Sequence, residues 1–296
     1  MILSWLVTLF IVADVNIQGF NKLQEIAVIV LFVLLSIGII GFILNSSKLM
    51  LNEFACAALL CIYLKSASNS ALQMPTVNDS AHFSIAHINL SSVESGYEEF
   101  VNEIKASELD IISFQEVKPD WAKVLKSSIS ELFPYQVENV RIDLFGMSVY
   151  SKFPIISKDT VVIDQAPFLE AHIELEENKV ITLSNPLIIP SINAAMDITQ
   201  EQFITKTADH ISKNEGSKVV LGDFNMVYWS SRIRDFRNTT GLMNSRRDIS
   251  QSVLSIPYDH IFYSEDLECT KFIDLLDQGS TRLGIQGDFQ FTETKL

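Results

Sequence analysis

Cysteine is scarce in this chain. Three occur in 296 residues; Cys56 and Cys61 lie in an apolar stretch, which leaves Cys269 alone in the polar remainder. No disulfide can form within that remainder, so cysteine usage does not identify the compartment. Charge is scarce only at the start. Residues 1–65 carry six charged side chains, Asp14, Lys22, Glu25, Lys48, Glu53 and Lys65, three of each sign. The whole formal charge of −14 therefore falls on residues 66–296. A region that acidic repels polyanions at long range, which disfavours diffuse, sequence-independent binding of nucleic acid. A bound divalent cation would reverse the field locally, so acidity alone does not exclude a nuclease. Arg246–Arg247 is the only adjacent basic pair, too small for a nucleic-acid surface and read as a solvated loop. No basic segment precedes the first apolar run and no small-residue cleavage site follows it, so a signal peptide fits poorly. No internal repeat is visible.

What the first part has in abundance is apolar sequence. Ile26 to Leu44 is nineteen residues without a charge, long enough to cross a bilayer core as a helix. Met1–Ala13 and about Met50–Leu64 flank it. The expectation is two or three membrane spans over residues 1–65, with three preferred, and an integral membrane protein. One lysine in each loop and one after the last run leave the positive-inside rule nothing to count. The orientation stays open, with the extracytoplasmic side preferred for the rest of the chain. Lys65–Ser80 is rich in Ser, Asn and Ala and reads as a linker over 66–80.

From Ala81 the pattern changes. "HFSIAHINL", "DIISFQEV", "GMSVYSKFPI", "KVITLSNPLIIP", "KVVLGDFN", "PYDHIFYS" and "LECTKFID" read as strands. "GYEEFVNEIKASEL" and "TQEQFITKTADHISKN" have apolar residues at helical spacing. Strands outnumber helices, which predicts a mixed α/β domain over 81–296, two sheets packed on each other with helices outside.

Several of these strands end in polar residues. Asn89 closes the first, Glu116 follows the second, Asp223 and Asn225 close "VVLGDFN", and Asp259 opens "DHIFYS". Asp288 sits in a second Gly-Asp-Phe near the C-terminus. Strand ends are where layered α/β proteins place ligand sites. Carboxylates and amides without a Cys/His set make a hard, oxygen-rich site suited to Mg²⁺ or Mn²⁺ rather than zinc. A lone Asn or Asp after a strand is more often a turn former. The set as a whole carries the reading.

Taken in order, "SFQEV", "GMSVYSKFP", "VVLGDFN", "PYDHIFYS" and the terminal "GDF" resemble the successive motifs of the endonuclease/exonuclease/phosphatase superfamily over residues 81–296. The layout is similar to a membrane-anchored bacterial branch, which implies the inner membrane. The resemblance implies a four-layer α/β sandwich and a Mg²⁺-dependent phosphoesterase. It implies Glu116 as principal metal ligand with Asn89 and Asp288, Asp223 and Asn225 orienting the attacking water and the phosphate, and Asp259 orienting a histidine. The chemistry is in-line attack of water on a phosphoester.

The sequence departs from that pattern twice. Asn185 in "LSNPL" stands at one usual histidine position, and Phe289 in "GDFQF" at the other. Asparagine can donate a hydrogen bond but transfers no proton; phenylalanine does neither. His87 lies two residues before Asn89 on the same strand face and is a candidate substitute, although a packed histidine is the plainer reading. His260 follows Asp259 and points to the opposite face. Two functions remain open: a weak or altered phosphoesterase acting on a phosphoester at the membrane, or an inactive relative that binds a phosphorylated ligand or a membrane protein partner. Nucleic acid is an unexpected substrate for either.

Overall fold

The apolar N-terminal runs form helices: α1 (Ile2–Val12), the short α2 (Asn21–Glu25), α3 (Ala27–Ile43) and α4 (Ser47–Ala67). The structure is a computed structural model, and it describes residues 1–13, 21–67, 74–176, 178–246, 257–277 and 281–292. By length and composition, α4 is the one helix among the described residues able to cross a membrane; α1 and α3 are shorter. The nineteen-residue run read as the main span becomes a helix of about 26 Å, against about 32 Å for α4. The two lie against each other where Gly38 faces Phe54 and Gly41 faces Met50, small residues that let helices approach closely. Two polar contacts hold α1 on α4. Ser4 Oγ donates to Glu53 Oε1 (2.9 Å) and Trp5 Nε1 to Asn52 Oδ1 (3.0 Å).

The rest of the chain alternates as expected. In order come β1 (His82–Asn89), α5 (Tyr97–Ala106), β2 (Ile111–Gln115), α6 (Pro119–Ile129), β3 (Tyr135–Asn139), β4 (Met147–Ser151), β5 (Ile155–Ile163), β6 (Ala166–Glu176) and β7 (Lys179–Ser184). Then follow α7 (Ala194–Ser212), β8 (Ser217–Asp223), α8 (Ser231–Thr240), β9 (Met243–Asn244), β10 (Asp259–Tyr263), β11 (Leu267–Asp277) and β12 (Thr281–Phe291). One sheet has the order β11-β12-β1-β2-β4-β3 and the other β5-β6-β7-β8-β10-β9. Both are mixed: β1 and β2 run parallel, as do β7 and β8, and the other pairs are antiparallel.

Alternation along each strand decides the layers. The odd-numbered residues Phe83 and Ile85 of β1, Ile111 of β2, Ile181 and Leu183 of β7, Val219 and Leu221 of β8, and Ile261 and Tyr263 of β10 meet in a core between the sheets. The even-numbered Ala86, Ile88, Ile112 and Phe114 pack outward under α5 and α6. Val220 and Phe262 pack outward with Phe203 and Ile204 of α7 and Ile233 and Phe236 of α8. The result is two mixed sheets packed face to face with helices outside.

Part of the segment read as a linker is docked. Ser66 and Ala67 complete α4, and 68–73 lie outside the described residues. Met74 then packs on the inter-sheet core. Gln290 Nε2 donates to the Thr76 carbonyl (2.9 Å) and Asn78 Nδ2 to the Phe291 carbonyl (3.1 Å), so 74–80 runs along the end of β12.

Candidate active site

The faces that meet between the sheets change character along their length. On β1, Phe83 and Ile85 give way to His87 and Asn89; on β2, Ile111 to Ser113 and Gln115; on β8, Val219 and Leu221 to Asp223. Asn185 follows Leu183 of β7, and Asp259 precedes Ile261 of antiparallel β10. The apolar members lie in the core, and the polar ones all fall at one edge, at the C-terminal ends of β1, β2, β7 and β8.

Glu116 follows β2 with φ +58°, a left-handed conformation that costs a non-glycine residue roughly 1–3 kcal/mol and concentrates at functional sites. Its Oε1 accepts from Asn89 Nδ2 (3.0 Å) and Ser91 Oγ (2.9 Å). Asn89 is itself held, because its Oδ1 accepts from the Ser91 amide (3.0 Å) at the start of a short 3₁₀ turn over Leu90–Ser92, and the single Ser91 hydroxyl proton is shared between this oxygen (2.8 Å) and Glu116 Oε1. Among the described residues no group is hydrogen-bonded to Glu116 Oε2, the bonds from Asn89 and Ser91 both going to Oε1. Ser91 was not legible as a site residue. Its only signal was that it stands two positions after an Asn that caps a turn.

Gln115 ties the two sheets together beneath this cluster. It is fully buried, its Oε1 accepts from the Asp223 amide (3.0 Å), and its Nε2 donates to the carbonyls of Asn185 (3.1 Å) and Pro186 (3.0 Å). The close approach requires glycine at 222: a Cβ there would press on the Pro186 carbonyl oxygen and come within 2.7 Å of Gln115 Nε2. Backbone on one side cannot yield, so Gly222→Ala is expected to destabilise the domain by about 1–3 kcal/mol. Thermal unfolding beside the wild type checks this; an unchanged midpoint would show that the sheets are not clamped here.

Asp223 and Asn225 emerge from this clamp together, and Phe224 between them is buried outward against Phe236, His260 and Phe262. Asp223 Oδ1 accepts the Asn225 amide (2.8 Å), and Asn225, at φ +49°, donates Nδ2 to the Ile188 carbonyl (2.9 Å). Asp259 pairs directly with Asp223 across β10 and β8. His260 points outward and its Nε2 meets the Met226 carbonyl at 2.7 Å.

His87 is completely buried, and its Nε2 lies 3.6 Å from Asp259 Oδ1, with neither ring nitrogen hydrogen-bonded. A histidine from β1 of one sheet thus faces the carboxylate of β10 in the other, and Asp259 has an imidazole beside it after all. Asn185 is fully buried and its side chain is hydrogen-bonded within the fold. Its Oδ1 accepts from the Leu169 amide (2.8 Å) and its Nδ2 donates to Ser113 Oγ (3.1 Å).

Two expectations are corrected. Asp288 does not join Glu116 and Asn89. It pairs with Ser84 in the antiparallel register of β12 on β1, five residues or about 17 Å back from Asn89 along the strand. It points to the outer face, where Gln286 Nε2 donates to it (2.9 Å) and Lys271 Nζ lies at 3.8 Å. Phe289, opposite Phe83, is a core residue packed on Phe83 and Tyr263 with ring centroids 5.4 Å apart in each pair. It is not a site position that has lost a histidine. The reason in both cases is register: the end of β12 beside the site is its beginning, where Gly284 pairs with Ile88. The basic pair is also not simply a solvated loop. Arg246 is buried and forms a two-point ion pair with Asp274 (2.7 and 3.2 Å), and Arg247 lies outside the described residues.

The site's oxygen donors can be tested against a divalent cation. Among the described residues no three His, Cys, Asp or Glu side chains gather as a ligand set. Mg²⁺ is ordinarily held by one or two carboxylates and keeps several waters. A single carboxylate with Oε2 open, fixed through Oε1 by two neutral donors, fits such a largely hydrated ion.

Two mixed sheets packed face to face, with amides and carboxylates at one strand-end edge, make a layered α/β sandwich with a candidate ligand site. Residues 86–280 match the Endonuclease/Exonuclease/phosphatase family, and the chain belongs to it. No curated protein matches the sequence. Among solved structures, an AP endonuclease from Archaeoglobus fulgidus is similar at TM-score 0.58 and 13% identity, over 71% of this chain and 100% of that one. The catalytic domain of human nocturnin with bound sulfate matches at 0.56 and 16%, over 73% and 97%. Sphingomyelinase C from Streptomyces griseocarneus matches at 0.53 and 13%, over 71% and 99%. At these identities the likeness is one of fold.

Proposed function

We propose that this protein is a membrane-anchored phosphoesterase that hydrolyses phosphodiesters slowly, with Mg²⁺ or Mn²⁺ at Glu116. The observation that supports it is Glu116 itself: a strained carboxylate, braced by Asn89 and Ser91, with one oxygen open, at the same edge as Asp223, Asn225 and Asp259. A bound cation would neutralise charge developing on the phosphoryl oxygens. Asp223 orients the attacking water. One hydrogen of Asn225 Nδ2 goes to Ile188, and the second is free for a phosphoryl oxygen. The rate is low because Asn185 has no proton to give, and general acid–base catalysis is typically worth about 10²–10⁴-fold. The anchor is supported by the outer surface of α1, α3 and α4, where Leu3, Leu6, Val33, Ile40 and Ile62 are exposed. Apolar surface of that extent is satisfied by lipid.

A second reading, a phosphoester-binding relative without turnover, is favoured by Asn185, which offers no transferable proton and is buried and hydrogen-bonded to Leu169 and Ser113. One titration separates the two. Saturating Mg²⁺ or Mn²⁺, at about 100 times Kd, should raise the unfolding midpoint of the full-length protein by roughly 5–10 °C. Glu116→Ala should show no rise. Turnover of a phosphodiester by the wild type alone supports hydrolysis. A Glu116-dependent shift without turnover supports the binding module. Equal shifts in both proteins would place the cation elsewhere.

A further inference from the structure

The helical bundle and the site share one edge of the sandwich. Val227, Tyr228 and Trp229, directly after the loop that carries Asn225, are buried in one apolar cluster with Val28 and Leu31 of α3 and Leu60 and Leu64 of α4. Trp229 Nε1 donates to the Gln24 carbonyl (2.6 Å), and the Trp229 carbonyl accepts from Tyr63 (2.9 Å). Tyr258, the residue before Asp259, donates its hydroxyl to Glu25 (2.8 Å), while its carbonyl accepts the amide of Phe224, between Asp223 and Asn225 (3.0 Å). Arg237 Nη1 donates to the Ala67 carbonyl (2.9 Å), and the Arg234 guanidinium lies over the Tyr63 ring. The bundle residues in these polar contacts, Gln24, Glu25, Tyr63 and Ala67, all sit where α3 begins and α4 ends.

The same end of the bundle is the boundary between its apolar length and the acidic domain. In a bilayer that boundary is the headgroup layer. Asp259 is one residue, and Asn225 two to four residues, from side chains fixed to it. Resting on the reading of this protein as a membrane-anchored phosphoesterase, we infer that the bundle forms part of the site's rim. It holds Asn225 and Asp259 at headgroup level, and the substrate is a phosphodiester whose tails stay in the same bilayer. Water forms one new P–O bond and one ester P–O bond breaks. A proton leaves the water and the departing alkoxide acquires one, giving an alcohol and a phosphomonoester. The strongly acidic domain disfavours the competing polyanionic substrates of the aqueous phase.

The test uses the full-length protein in phosphatidylcholine vesicles with Mg²⁺. Release of phosphomonoester from vesicle lipid is compared with release from glycerophosphocholine, the same diester without tails, at equal bulk phosphate. Tethering to the surface raises the effective substrate concentration, so the vesicle lipid should turn over at least about tenfold faster, and Glu116→Ala should abolish both reactions. Equal or faster Glu116-dependent turnover of the soluble diester overturns the inference while leaving the phosphoesterase reading intact. Glu116-independent release, or none from either substrate, overturns that reading and the inference with it.

Discussion

Phe289→His is expected to destabilise the protein by about 3–4 kcal/mol and to restore no activity. The ring at 289 is 1% exposed and is packed between Phe83 and Tyr263. Removing a buried phenyl costs about 3–5 kcal/mol in large-to-small changes. Imidazole recovers part of that volume, but it brings polar nitrogens into an apolar layer, and an unpartnered buried polar group costs about 1–3 kcal/mol. For a domain of this size the midpoint should fall by roughly 6–14 °C. The companion Asn185→His would break the bonds to Leu169 and Ser113, so the double variant should be less stable still. Thermal unfolding and a phosphodiester assay on the two proteins decide the matter. A stable Phe289→His variant with increased turnover would put residue 289 back in the site.

Residue 289 shows what the sequence holds and what it does not. Gly-Asp-Phe occurs twice, at 222–224 and 287–289. At the first, alternation along β8, which ends at Asp223, turns Phe224 to the outer layer and Asp223 to the opposite face. In β12 the same tripeptide sits seven residues into an eleven-residue strand, and nothing local says which end of β1 it will lie against. That is fixed by the pairing of His82 with Gln290 through Ile88 with Gly284, a non-local property. Strand and helix assignments were legible for the same reason that Asp223 was. Each depends on periodicity within a dozen residues, and the inner and outer faces of β1, β2, β8 and β10 follow from it directly.

The parts of the site that were not legible are contacts across large sequence separations. Gln115 was quoted in the motif with Glu116, yet its role as the clamp on Asp223, 108 positions away, needs both sheets in place. The docking of Trp229 on Gln24 spans 205 positions. The left-handed backbone at Glu116 is likewise imposed from outside. Glutamate has no preference for it, and the bonds from Asn89 and Ser91 hold it there.

His87→Gln should lower kcat by about 10²-fold and leave KM within a factor of about two, the signature of an interaction made only in the transition state. The imidazole is wholly buried beside Asp259, and on the proposed phosphoesterase reading its part is to position that carboxylate from below. Glutamine keeps a polar side chain of similar volume, which limits the change in packing. Asp259→Asn should cost as much, because it removes the charge that faces the ring. The double variant should then be little worse than either single one, since groups acting as a unit are not additive. A merely structural His87 predicts something else: a lower unfolding midpoint, unchanged kcat in the folded fraction, and effects that add to those of Asp259→Asn. Among the described residues the ring's two nitrogens have no hydrogen-bond partner, and a buried polar group left so costs stability beside a core that includes Ile85, Ile111 and Ile285. An aliphatic residue would pack there at less cost. The carboxylate of Asp259, 3.6 Å from Nε2, is the charged group that faces the ring, and the double-variant comparison tests that pairing.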